Sequence, residues 1–127
     1  PYFKHTDKIL DKEVKSLEDY LEAGRRLQEA GAQYVLIPFH SSRLIFSQDE
    51  AHLISAPDFN LVNWLGAGEA YNSAFINYIM EHGFDFVEAN KYAGAAALAI
   101  AEKRRVYLED KEEIKKMLSK IKVESVG

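Results

Sequence analysis

Apolar residues near the start of the chain recur at helical spacing. Ser16 is a suitable N-cap and Asp19 stands at the third helical position, which is the arrangement of a weak capping box. Gly31 is a natural stop, because glycine readily takes the left-handed conformation that ends many helices. The pattern therefore predicts a helix from about Leu17 to Ala30, with an apolar face formed by Leu17, Tyr20, Leu21, Gly24 and Leu27.

A continuous apolar run follows this helix and predicts a sheet. Tyr34–Ile37 is typical of a buried strand, which we expect to be parallel and to end at Pro38. Two more apolar runs, Arg43–Phe46 and His52–Ile54, flank the polar stretch Ser47–Glu50. That arrangement predicts a hairpin with a loop of the four-residue class.

The second half of the chain predicts three helices. The first ends at Gly83, the second is capped by Asp85 and runs to about Lys103, and the third begins at Asp110. The middle of the second helix, Ala93–Ala97, has almost no side-chain bulk, so another backbone can approach it closely. The apolar face of the first helix contains Tyr71, Phe75, Tyr78 and Ile79.

Together these elements predict an α/β fold. We expect a small, mostly parallel sheet with a hairpin and about four helices, in a single domain over residues 1–127. Asn60–Asn63 is a candidate for one further extended segment. Because the sheet is small and the helices are long, an apolar edge or face of the sheet is expected to stay open.

The composition excludes several classes of function. The net charge is -4 and no basic residues cluster on one face, so the sequence indicates no surface for binding nucleic acid. The absence of cysteine excludes disulfides, thiolate metal sites and a cysteine nucleophile, and the four histidines match no zinc spacing. No apolar run approaches the roughly 20 residues of a membrane span and no signal peptide opens the chain, so we expect a cytoplasmic protein. Because the chain starts at Pro1, we expect it to be processed or cut from a longer one.

One segment carries a chemical mechanism. Gly66-Ala67-Gly68 stands directly before a helical pattern, where unpaired N–H groups and the helix dipole form an anion site. Glycines let a phosphate approach the backbone, and Glu69 beside it could take the proton of an attacking hydroxyl. The alternative is a tight loop whose glycines serve turn geometry alone.

The run from Leu61 to Tyr71, with Gly66-Ala67-Gly68-Glu69 at its centre, resembles the signature of the ribokinase-like, PfkB-type carbohydrate kinases. The family pattern is Asp-Thr-x-Gly-Ala-Gly-Asp-x-Phe. Tyr92–Ala99 and the upstream helix, strand and hairpin also follow the family's order, so the resemblance covers nearly the whole chain. It implies the nucleotide-binding, carboxyl-terminal half of a three-layer fold. The resemblance also implies that this half binds ATP with Mg²⁺, from which the complete kinase phosphorylates a sugar or sugar phosphate.

The resemblance assigns roles to individual residues, and several of them depart from the family pattern. Glu69 replaces the catalytic Asp and reaches about 1.5 Å further, while Gly66, Ala67 and Gly68 would form the anion hole. Asn63 stands where many members have Asp. The nucleotide-binding candidates are Asn63, His40, Arg43 and Gly94.

Three of those positions carry a residue that differs from the family pattern, and one further family motif is also altered. His40 and Arg43 replace the two glycines of the family's nucleotide loop, and Gly94 replaces an Asn. The Pro-Asn-x-x-Glu motif, which the family links to metal and phosphate, would fall at Pro1–His5 and has lost Asn and Glu. No metal ligand is assigned. His40 and Arg43 could instead bind a phosphate directly, or form an exposed turn.

Two functions from different classes remain open at this point. The first is the ATP-binding half of a sugar or sugar-phosphate kinase, inactive by itself because the sugar-contacting segments of the family are missing. The second is a catalytically silent module for binding or oligomerisation, for which a homo-oligomer is one expected form. Neither function predicts nucleic-acid or membrane partners.

Overall fold

The computed structural model describes residues 3–127, and the side chains from His5 onward. The chain forms two compact units, residues 1–54 with 123–127 and residues 55–122. The single domain expected from the sequence stays a prediction. The helices are α1 (Phe3–Leu10), α2 (Leu17–Glu29), α3 (Ala67–His82), α4 (Phe86–Ala101) and α5 (Glu112–Met117), and the strands are β1 (Tyr34–Phe39), β2 (Ser42–Ser47), β3 (Glu50–Ser55) and β4 (Lys122–Ser125).

The first unit is a sheet covered by helices. The strand order is β1-β2-β3-β4, and β1–β2 and β2–β3 are both antiparallel. One face of the sheet packs on α1 and α2 around a core of Leu10, Ala23, Val35, Ile37, Leu44, Phe46 and Ala51. The α/β class is confirmed, but the expectation of a mostly parallel sheet is wrong.

Tight turns explain the antiparallel arrangement. Phe39 pairs with Ser42, so only His40 and Ser41 reverse the chain, whereas a parallel neighbour would need a crossover of about a dozen residues or more. His40 has the left-handed φ of 52° that such a turn requires. The predicted hairpin is confirmed, although Ser47 pairs with Glu50 and the loop is therefore two residues long.

Pro38 lies within β1 and does not end it. It pairs with Arg43, one position beyond the Phe39–Ser42 pair that closes the turn. In a two-residue hairpin the closing pair exchanges hydrogen bonds and the next pair does not. The proline nitrogen therefore faces the outer edge of the sheet, where a missing donor costs no ladder bond.

The second unit consists of α3, α4 and α5, with a 3₁₀ turn at Leu118–Lys120. Small residues on α4 let α3 approach closely, as Ala89, Ala93 and Ala96 are fully buried. One buried polar contact joins the two helices: the Tyr71 hydroxyl donates to the Asn90 side-chain oxygen. The extended segment considered for Asn60–Asn63 is not a strand.

Candidate functional site

The loop before α3 is fixed to the end of α4. The N–H groups of Val62 and Asn63 both donate to the Ala101 carbonyl oxygen, at 2.8 and 3.0 Å. The Asn60 N–H donates to the Glu102 carboxylate at 3.1 Å, and that carboxylate also accepts from the Lys120 ammonium at 3.0 Å. These bonds satisfy groups at the helix end and hold the loop that leads into α3.

A left-handed glycine joins this loop to α3. The Asn63 side-chain oxygen accepts from the Leu65 N–H at 3.0 Å, and Gly66 follows with φ 83°. A Cβ at residue 66 would lie 3.0 Å from the Val106 carbonyl oxygen and 3.2 Å from the Val106 Cβ. Both the φ value and the close approach require glycine here.

The start of α3 has unsatisfied donors. The Ala67 N–H donates to the Trp64 carbonyl at 3.1 Å, but the N–H groups of Gly68 and Glu69 have no acceptor among residues 3–127. By contrast, side chains cap the other two long helices: Ser16 accepts from Asp19 at the start of α2, and Asp85 accepts from Glu88 at the start of α4. The N-terminus of α3 therefore presents two free amides and the positive end of a helix dipole.

Gly68 differs from Gly66 because the fold does not require it. A Cβ at residue 68 would meet no heavy atom within 4 Å, and the residue is exposed. Glycine costs up to about 1 kcal/mol relative to alanine inside a helix. Glycine at this position leaves open space above the amides, and no contact within the fold requires it.

Glu69 is exposed and lines a groove of about 360 Å³. The lining also includes the apolar residues Ala70, Ala74, Ile100 and Ile114 and the aromatic residues Tyr92 and Tyr107. Lys111 lies at its edge and pairs with Glu81 at 2.6 Å. That hydrogen bond lowers the pKa of Glu81 and raises the pKa of Lys111. A carboxylate beside two free amides can accept a proton while the amides hold an anion.

The remaining residues expected at the site lie elsewhere in the chain. Gly94 is half-buried within α4, in the same unit as the α3 loop. His40 and Arg43 belong to the first unit, where His40 forms the β1–β2 turn with its ring 4.7 Å from Phe39. The motif position at Pro1–His5 lies in part outside the described residues.

Sequence reasoning missed Glu113. Its side chain is only 14% exposed and contacts Lys103 and Arg105. Its position on a short helix with alternating charges gave no signal of burial, because its partners lie eight and ten residues away along an irregular segment.

Residues 3–127 show neither a metal-binding cluster nor a membrane-spanning helix. Between residues 3 and 127 no cluster of three or more His, Asp or Glu side chains is arranged to hold a metal ion. None of the helices described there combines the length and apolar character that crossing a membrane requires.

Comparison with known proteins identifies relatives of the chain. No family model matches it. The chain is 27% identical over 128 residues to a 1-phosphofructokinase of Borreliella burgdorferi, covering 99% of the chain and 41% of that protein. It thus spans about two fifths of the length of this curated relative.

Solved structures give the same result. A Thermotoga maritima protein described as a possible 1-phosphofructokinase matches with a TM-score of 0.81 and 28% identity, over 90% of the chain and 36% of that protein. Arabidopsis thaliana ribokinase, solved with ribose and ATP, matches in fold with a TM-score of 0.78 and 21% identity, over 93% of the chain and 40% of the ribokinase. These likenesses confirm the resemblance to the ribokinase-like, PfkB-type carbohydrate kinase family, of which the chain matches only a part.

Proposed function

We propose that the chain is the phosphate-handling part of a PfkB-type kinase that transfers a phosphoryl group from ATP to a hydroxyl of a sugar or sugar phosphate. The observation that carries the proposal is the pair of unsatisfied amides, Gly68 and Glu69, at the uncapped start of α3. The likeness to a curated 1-phosphofructokinase supports it.

Each residue of the loop has a role in this proposal. The N–H groups of Gly68 and Glu69 hold oxygens of the transferred phosphoryl group, where negative charge spreads during transfer. The Glu69 carboxylate takes the proton of the attacking hydroxyl. Gly66 sets the left-handed bend that aims the amides, while the Ala67 N–H is already engaged with Trp64.

The site fits an anionic ligand. It offers two donors without acceptors and open space above Gly68. Mg²⁺, when bound with ATP, would neutralise charge on the phosphates, and it commonly binds through phosphates, waters and only one or two carboxylates.

We further propose that the chain does not turn over substrate by itself. It spans only about two fifths of the curated relative, so most of a complete kinase has no counterpart in these residues. Additional polypeptide would have to supply the sugar-contacting surface.

Calorimetric titration with inorganic phosphate and a non-hydrolysable ATP analogue tests the site directly. The parent should bind at millimolar concentration or tighter, and Gly68→Ala should weaken binding because the new Cβ fills the space above the amides. Asn72→Ala, an exposed change one turn further along α3, is the control and should bind like the parent.

Either of two results would overturn the assignment. One is a parent chain that binds neither ligand. The other is a Gly68→Ala variant that binds both as tightly as the parent, since the ligand would then lie away from these amides.

A second candidate is a catalytically silent interaction module. The observation in its favour is the exposed apolar surface of α3, where Ile76 and Met80 are 58% and 80% exposed. Light scattering would show a stable oligomer, and calorimetry would show no nucleotide binding. A monomer that binds the ATP analogue would exclude this function.

A further inference from the structure

Glu113 organises the segment between α4 and α5. Its carboxylate contacts the Lys103 ammonium and the Arg105 guanidinium. It also accepts from the N–H groups of Glu109 and Asp110, at 2.7 and 3.2 Å. One largely buried carboxylate therefore ties both ends of residues 103–110 with charge-assisted hydrogen bonds, which are stronger than neutral ones.

The segment that Glu113 holds contacts the candidate phosphate loop. The Val106 carbonyl oxygen and Cβ lie 3.0 and 3.2 Å from the position that a Cβ of Gly66 would occupy. Val106 thus packs directly on the left-handed residue at the start of α3. Next to it, the Arg105 guanidinium lies 5.6 Å from the centre of the Tyr107 ring, and Tyr107 lines the groove beside Glu69.

We infer that Glu113 is a positioning residue for the phosphate-binding loop, acting through Arg105 and Val106 without touching the ligand. The inference rests on the proposed function for what the loop binds, but not for how the loop is held. Loss of the Glu113 charge would leave Lys103 and Arg105 half-buried without this partner, which favours rearrangement of the segment. Val106 would then no longer confine Gly66, and the amides of Gly68 and Glu69 would lose their alignment.

The test compares Glu113→Gln with Glu112→Gln in the full chain. The two variants lose the same charge at adjacent positions of α5, but Glu112 is 60% exposed and pairs with Lys115, one turn along the same helix. Two-dimensional ¹⁵N NMR follows the amides of Gly66, Gly68 and Glu69, first in the free protein and then during titration with inorganic phosphate. Thermal unfolding establishes that both variants are folded.

We expect Glu113→Gln alone to shift the amide resonances of Gly66 and Gly68 in the free protein. It should also weaken phosphate binding about tenfold, because misaligned amides lose charge-assisted hydrogen bonds to the anion, which are roughly twice as strong as neutral ones. A folded Glu113→Gln variant with unshifted loop amides would overturn the inference. So would a Glu112→Gln variant that shifts those amides equally.

The design separates this inference from the proposed function. If the parent binds no phosphate, the proposed function fails, and the loop amides of the free variants still decide the role of Glu113. If Glu113→Gln does not fold, Arg105→Lys provides the second variant, because it keeps the charge but loses the planar fork. Shifted Gly66 and Gly68 amides in Arg105→Lys support the inference, and unchanged ones reject it.

Discussion

At the residue scale, two glycines of the same loop have different reasons to be there. Gly66 has a left-handed φ of 83° and packs against Val106, whereas nothing lies within 4 Å of a Cβ at Gly68. The sequence shows both as small residues before a helix and cannot distinguish them. The structure shows that the fold requires glycine at residue 66 but not at residue 68.

Replacement of Gly66 should therefore destabilise the protein. We expect Gly66→Ala to lower the free energy of unfolding by about 1–3 kcal/mol, the cost of holding a non-glycine residue in this backbone region. Gly68→Ala is the matched control and should unfold at the parent's urea concentration or slightly above it. Equal urea midpoints for the two variants would contradict the assignment.

The charge of Glu69 should oppose anion binding in the chain alone. Glu69→Gln should tighten phosphate binding roughly fivefold, because two unit charges about 4 Å apart in water repel by about 1 kcal/mol. Calorimetry at low salt measures the change. Glu88→Gln is the control, since Glu88 lies in the first turn of a helix that Asp85 already caps. An unchanged affinity in Glu69→Gln would place the phosphate away from this carboxylate.

At the element scale, α2 shows how sequence-local chemistry fixes a helix start. Asp19 accepts hydrogen bonds from the Lys12 ammonium at 2.8 Å and from the N–H groups of Lys15 and Ser16 at 3.1 and 3.2 Å. The Lys12 contact first, and then the two backbone bonds, hold the pKa of Asp19 well below its usual range.

The lowered pKa of Asp19 predicts a pH dependence of stability. A carboxyl whose pKa is depressed on folding stabilises the protein above its unfolded pKa of about 3.9, and the contribution is lost as the pH falls towards the folded pKa. Asp19→Asn should therefore be less stable than the parent at pH 7, and the difference should shrink below about pH 4. Urea unfolding across this range measures it. Glu18→Gln, a change in the same first turn, should show a smaller difference, and an equal one would contradict the assignment.

The packing of α2 on the sheet depends on Gly24. A Cβ at this position would collide with the Phe46 ring, which is itself buried. Gly24→Ala should therefore cost about 1–3 kcal/mol of unfolding free energy through overpacking. In a Phe46→Leu background, Gly24→Ala should lower the free energy of unfolding by less, as measured by denaturant unfolding. If the two changes are simply additive, the close contact is not the cause.

The sequence predicts helices and turns best where the determining residues are neighbours. The capping box of Ser16 and Asp19 and the cap at Asp85 are both confirmed, because a cap needs only three or four residues. Elements that depend on distant contacts were missed. β4 is four residues long and takes its place beside β3, and α1 is only eight residues long.

The wrong strand direction has the same origin. His40 and Gln48 have φ values of 52° and 51° in their turns, a conformation that sequence patterns associate with Gly or Asn. In the candidate site, the sequence indicated the amides and Glu69, but it could not show that Ala67 is already engaged or that Glu113 is largely buried. Both facts depend on the folded path of the chain.

At the scale of the whole molecule, the chain covers about two fifths of the length of its curated relative. We expect the chain alone to bind phosphate but to produce no ADP from ATP with fructose 1-phosphate or ribose as acceptor, because a counterpart of about three fifths of the curated relative is absent. A coupled ADP assay measures this. Sugar-dependent ADP formation that Glu69→Gln abolishes would show that these residues are sufficient.

The outer edge of β1 has a consequence for how the protein behaves at high concentration. An exposed apolar strand can recruit the same strand of another molecule and so template a growing fibril. Pro38 brings no hydrogen to that edge, so an incoming chain would lose one rung of the ladder near the end of the strand. This residue, which the sequence indicated only as a strand terminator, would therefore disfavour amyloid-like self-assembly through that edge.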